Sequence, residues 1–309
     1  DPLGNRETVR AATVEKMQTI QHRYYVPNNS VLVVTGDVKA DDVFKLADQL
    51  YVGWQKTEDP FIKFPLMQHP PLAKSEVVLV SHPAVQSFNG EFVWLGPSTV
   101  GDSVPLTYPA DVLSMVLGDP SSKFQKALVD SGACVNAGIS WATQKNVGPI
   151  TFGFEAAPDK VDTCVKAALA ELPKIKAADY FTDEELDNAK HQLEIQDIKD
   201  REKPSAFAST LTFWWTSAGL DYYLSYVDNT KKVTRDDIAR YLDTYILNKP
   251  FVMGALVSPK MEQAGINQAH LEDLAGIPHA TASSEKSPSV ADKAAAPATK
   301  GKQPKKGGK

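Results

Sequence analysis

Cysteine is nearly absent: Cys134 and Cys164 are the two in 309 residues, and their spacing fits neither a zinc site nor a redox motif. A disulfide framework is therefore excluded, while a single bridge between the two depends on a Cα separation that sequence does not supply. Long hydrophobic runs are missing as well. No stretch approaches the roughly 18 to 20 apolar residues needed to cross a bilayer, and the N-terminus has no basic segment followed by an apolar one. There is no G-x-S-x-G elbow, no P-loop and no G-x-G-x-x-G. The six histidines, His22, His69, His82, His191, His270 and His279, never stand at metal-ligand spacing from another His or from Cys. His191 and Glu194 form H-x-x-E on a helix, but Ile195 follows where a second imidazole would be needed. Acidic and basic helices meet that pattern by chance, so a solvated helix face is the reading. The chain shows no complete catalytic site and no metal-ligand set of its own.

What is present describes a folded protein. Hydrophobic residues make up 42% and charged residues 23%, which places the body among globular rather than disordered chains. The length fits two domains at roughly 150 residues each. Charge is unevenly spread. Residues 278–309 hold seven lysines against Glu285 and Asp292, a net +5, so the other 277 residues carry −10 of the total −5. An acidic body argues against nucleic acid as the partner. The Ala, Ser, Pro, Gly and Lys of the tail cannot build a core, and it is expected to be a disordered extension.

Along the chain, Thr13 caps a helix with Val14, Met17, Ile20 and Tyr24 at helical spacing, stopped by Pro27-Asn28-Asn29. A β-branched run at 31–34 predicts a strand, and Val43, Leu46, Ala47 and Leu50 a second helix. One strand cannot cover two amphipathic helices, so residues 1–64 read as the end of a domain whose remaining strands lie upstream. Residues 65–75 are a proline-rich linker. Residues 76–277 read as a complete second domain. Strands are predicted at 76–80, 88–95, 133–141 and 150–156, the third alternating Val135, Ala137, Ile139 and Trp141. Helical pattern covers 108–117, 121–129 and 159–177. A Thr182-x-x-Glu185 capping box opens a helix to about Lys203, and Pro204 starts another with Phe207, Leu211, Trp214, Trp215 and Ala218 as its buried stripe. Thr234 caps one more, and 251–257 is a closing strand. Strands, then helices, then a strand make an α+β sandwich rather than a doubly wound sheet. The aromatic cluster Phe213, Trp214, Trp215, Tyr222, Tyr223 and Tyr226 reads as inter-helix packing before ligand platform. The strand at 133–141 reads as sheet interior before a peptide-binding edge.

Four strings, in this order, carry a resemblance: YYVPNNSVLVVTGD at 24–37, SSKFQKALVDSGACVNAGISW at 121–141, FTDEELDNAKHQLE at 181–194 and VDNTKKVTRDDIARYLDTYI at 227–246. Together they resemble the pitrilysin, insulinase and mitochondrial processing peptidase family of zinc peptidases across about residues 3–260. The resemblance implies duplicated metallopeptidase-like α+β domains and peptide held in a chamber between two halves. It also implies zinc bound in the first domain by H-x-x-E-H and a downstream Glu. Those positions lie before the matching region, so this chain is expected to hold the end of a first domain and all of a second, with zinc belonging to the parent protein. Family members that complete the site from the other half use an Arg and a Tyr seven residues on. Val129 stands where the Arg belongs, and Val135 or Asn136 where the Tyr belongs; none can supply a guanidinium or phenol. Val129, Val135 and Asn136 are thus the expected substrate-facing positions. The implied partners are a peptide or unfolded polypeptide and a partner half or subunit. The implied roles are a zinc peptidase subunit or an inactive scaffold of the same family, and the family's bacterial members point to a periplasmic or secreted setting.

Overall fold

Alternating apolar and polar residues build the central sheet of the computed structural model, which describes residues 4–66 and 69–279. Strands β1 (Glu76–Ser81), β2 (Phe88–Leu95), β3 (Asn136–Trp141), β4 (Pro149–Ala156) and β5 (Val252–Val257) assemble in the order β1-β5-β2-β4-β3. The β1/β5 pair is parallel and the other pairs are antiparallel. On one face Phe88, Phe92, Trp94, Ile150, Phe152, Phe154, Met253 and Val257 are all buried. Phe92 meets Phe152 edge-on with ring centroids 6.0 Å apart, and each such ring contributes roughly 1.5 to 3 kcal/mol by leaving water. Gly90 is required here, because a Cβ on it would stand 2.4 Å from the Phe154 ring.

Helices cover that face. Before the sheet come α1 (Arg6–Arg10), α2 (Val14–Tyr24), α3 (Ala40–Tyr51) and the single turn α4 (Pro60–Lys63). After β2 follow α5 (Thr107–Gly118) and α6 (Lys123–Gln125), then α7 (Val161–Glu171), α8 (Asp183–Asp200), α9 (Pro204–Ser217), α10 (Leu220–Lys231) and α11 (Arg235–Tyr245), with α12 (Pro259–Gln263) and α13 (Gln268–Ala275) after β5. Helices α5, α7 and α13 pack on β3, β4 and β1, while α8, α10 and α11 pack on α5. The α+β class holds. The Thr182 capping box forms as read: its hydroxyl accepts from the Glu185 amide at 3.1 Å and its amide donates to the Glu185 carboxylate at 2.6 Å. Pro204 occupies the first turn of α9.

Several local expectations need correction. No strand forms at 31–34, since among the described residues no strand lies beside it to complete a ladder. Helices α2 and α3, by contrast, are uncovered as expected: they bury no residue, with Val14 69% and Leu50 67% exposed. The stripe on α9 is only half-buried, because α9 lies at the margin of the helical layer, against α8 and α10. The stretch expected to be helical at 121–129 is one α-turn followed by a π-turn, Lys126–Asp130. β3 begins at Asn136 rather than Ala133, because the Cys134 amide donates back to the Leu128 carbonyl at 2.8 Å. The lysine-rich segment from 280 onward lies outside the described residues.

Candidate functional site

The outward residues of the five strands form three rows set by register. The first is Glu76, Val252, Val93, Thr151 and Ser140; the second Val78, Gly254, Glu91, Gly153 and Gly138; the third Val80, Leu256, Asn89, Glu155 and Asn136. All fifteen are exposed or half-buried. From Gly254 to Gly138 the middle row has no side chain but that of Glu91, with Val78 at its end, and the face sinks into an open trough of about 960 Å³. The Glu91 side chain reaches across Gly254, whose Cβ, were there one, would stand 2.9 Å from Glu91 Oε1. Over Gly138 and Gly153 the same position meets nothing within 4 Å.

The three positions singled out from sequence do not converge. Asn136 lies in the trough, where its Nδ2 donates to Glu155 Oε2 at 2.8 Å. The other Glu155 oxygen accepts from Ser87 Oγ at 2.5 Å. Val135 is 54% exposed just before β3, its amide donating to the Glu155 carbonyl at 2.7 Å. Val129 sits in the π-turn, half-buried and packed on the hydrophobic core beside fully buried Leu128. Between them, Gly132 turns the chain with φ +72, a conformation that favours glycine. Cys134 and Cys164 are joined in a disulfide, with Cα atoms 5.0 Å apart, so this loop is tied to α7. Sequence leaves the pairing open, and proximity in the fold settles it.

Of the aromatic cluster, Trp214, Tyr222, Tyr223 and Tyr226 pack together as the spacing implies, while Phe213 is 49% exposed. Trp214 lies over Tyr222 at 5.3 Å and over Tyr223 at 5.9 Å, both stacked. Beneath it Tyr226 OH donates to Asp111 Oδ2 at 2.7 Å, and Tyr222 OH lies 2.7 Å from Thr107 Oγ1. Desolvation within the helical layer pushes the Asp111 carboxyl up to about 7, against a smaller opposing effect of the Tyr226 bond. Glu194 of the H-x-x-E pattern is engaged by Lys231 Nζ at 2.6 Å, and His191 is exposed. Among the described residues no three His, Cys, Asp or Glu side chains converge to hold a metal ion. The donor set for zinc does not fit among the described residues.

The trough itself was missed by sequence reasoning, though a signal existed. Gly138, Gly153 and Gly254 each fall at an outward position of an alternating strand, and only the register shows that they share a row.

This α+β sandwich, with one sheet face covered by helices and the other open, recurs in solved structures. A protease from Helicobacter pylori has it with a TM-score of 0.72 at 22% identity, over 82% of this chain and 62% of that one. A chain of complex III2 from Candida albicans has it with a TM-score of 0.68 at 15% identity, over 88% and 64%. At these identities the likeness is one of fold. The family model for the Peptidase M16 inactive domain matches residues 11–193, and the chain belongs to that family. It is also 24% identical over 247 residues to Zinc protease PqqE of Helicobacter pylori, a match covering 79% of this chain and 55% of that protein. The chain thus spans just over half the length of that relative and less than two thirds of the two solved chains.

Proposed function

We propose that this chain is the C-terminal portion of a zinc metallopeptidase subunit that cleaves peptides or unfolded segments, with its open sheet face forming a wall of the substrate chamber. The observation that carries the reading is the glycine-floored trough on the helix-free face. A face with few side chains leaves room for an extended polypeptide of many sequences, as a chamber wall must. Docking of a partner half is inferred from the family; the exposed Val14, Met17, Leu46 and Leu50 of α2 and α3 are the surface that the strands expected upstream would cover. A periplasmic or secreted setting is supported by the Cys134–Cys164 disulfide, which persists in oxidising compartments.

The second reading is an inactive scaffold subunit of the same family. Val129, Val135 and Asn136 at the Arg/Tyr positions, with Val129 half-buried, agree with it as well as with a zinc subunit whose partner supplies the pair, and the upstream H-x-x-E-H separates the two.

The test is peptide hydrolysis by the whole gene product, with any domain encoded before Asp1 included. Hydrolysis of an unfolded polypeptide that is abolished by a chelator and restored by zinc is the expected result, together with H-x-x-E-H in the preceding sequence. A gene product with no such motif and no hydrolysis in the presence of zinc leaves the scaffold reading.

A further inference from the structure

We propose that Glu91 is a specificity residue: its carboxylate, standing on the glycine floor of the trough, receives an arginine or lysine side chain of the polypeptide lying on the open face. The inference deepens the chamber-wall reading and rests on it.

Charge carries the argument. The fifteen outward positions include three carboxylates, Glu76, Glu91 and Glu155, and no Lys, Arg or His. Glu76 is paired with Lys74 at 3.3 Å, at the sheet's edge. Glu155 has both oxygens engaged, by Ser87 and Asn136. Among the described residues Glu91 makes no hydrogen bond and no ion pair, so it is the one carboxylate of the trough with its acceptor sites free. Its position is central, on β2, with Gly254 on one side and Gly153, then Gly138, on the other.

Space supports the same assignment. Strands lie roughly 4.8 Å apart, so the row from Gly254 to Gly138 leaves a path roughly 14 Å wide in which Glu91 alone rises. A polypeptide can approach the sheet closely there while a long side chain reaches the carboxylate. Asn89, Ser140 and Thr151 at the rim offer hydrogen bonds to its main chain. An arginine fits best, since its planar fork can pair with both carboxylate oxygens. The competing reading is an ordinary solvated glutamate on an exposed sheet face, for which the same exposure would suffice.

The two readings separate in a binding measurement on the 309-residue chain. Two fluorescent ten-residue peptides are compared, identical except that one carries a central arginine and the other its neutral isostere citrulline. Fluorescence anisotropy is expected to show the arginine peptide bound about three- to fivefold more tightly, the range of a partly solvated ion pair. Glu91→Gln should bind both peptides as the wild type binds the citrulline one. Gly153→Val puts a side chain in open space on the floor and should weaken both peptides. If the wild type shows no preference, or Glu91→Gln retains it, Glu91 is not the reader, while peptide binding as such still supports the chamber wall. Unchanged binding in Gly153→Val would put the peptide elsewhere and overturn the assignment. Failure of both peptides to bind would remove the chamber-wall reading together with it.

Discussion

Cys134 and Cys164 are bonded across a separation of 30 residues, fastening the loop between the π-turn and β3 to helix α7. Both are buried. A cross-link closing a loop of that length restricts the unfolded chain and is worth about 3 to 4 kcal/mol in the chain-entropy account. The double substitution Cys134→Ala/Cys164→Ala is therefore expected to lower the unfolding free energy by about that amount, read from the urea midpoint. Full reduction of the wild type should produce a shift in the same direction, and equal midpoints would show that the cross-link contributes nothing.

Asp111 gives the protein a pH dependence of definite sign. Its carboxyl titrates near 7 in the fold and at about 3.9 when unfolded. Between those values the native state binds a proton that the unfolded state does not, so stability falls as pH rises. The contribution is complete below about 4 and is lost as pH rises through about 7. Thermal unfolding should show a lower Tm at pH 8 than at pH 6. Asp111→Asn keeps an acceptor for the Tyr226 hydroxyl and should flatten that difference; an undiminished difference would assign the dependence to other groups.

Hydrogen exchange should divide the chain. Helices α2 and α3 bury no residue, so their amides are expected to open locally with little free-energy cost. The amides of β4 lie between β2 and β3 over a buried aromatic face and should exchange only on global unfolding. Measured on the isolated chain, weak protection before Pro65 and strong protection in Phe152 and Phe154 is the expected pattern. Equal protection in the two regions would show that the first helices are covered.

What the sequence determined by itself is local. The Thr182–Glu185 capping box, Pro204 at a helix start and the inward Phe88, Phe92 and Trp94 of β2 all depend on residues a few positions apart, and each formed as the spacing required. The α+β class followed from the order of those elements. The tertiary structure decided whatever needed a partner distant in sequence. A β-branched run at 31–34 formed no strand without a neighbour to receive its hydrogen bonds. The half-buried stripe of α9 depended on where the helix came to lie in the layer. The disulfide depended on two Cα atoms reaching 5.0 Å. The candidate site is the plainest case: Gly138, Gly153, Glu91 and Gly254 sit on four different strands, and no spacing along the chain unites them. Register does, because a one-residue slip in any strand would turn its glycine or glutamate to the opposite face and close the trough.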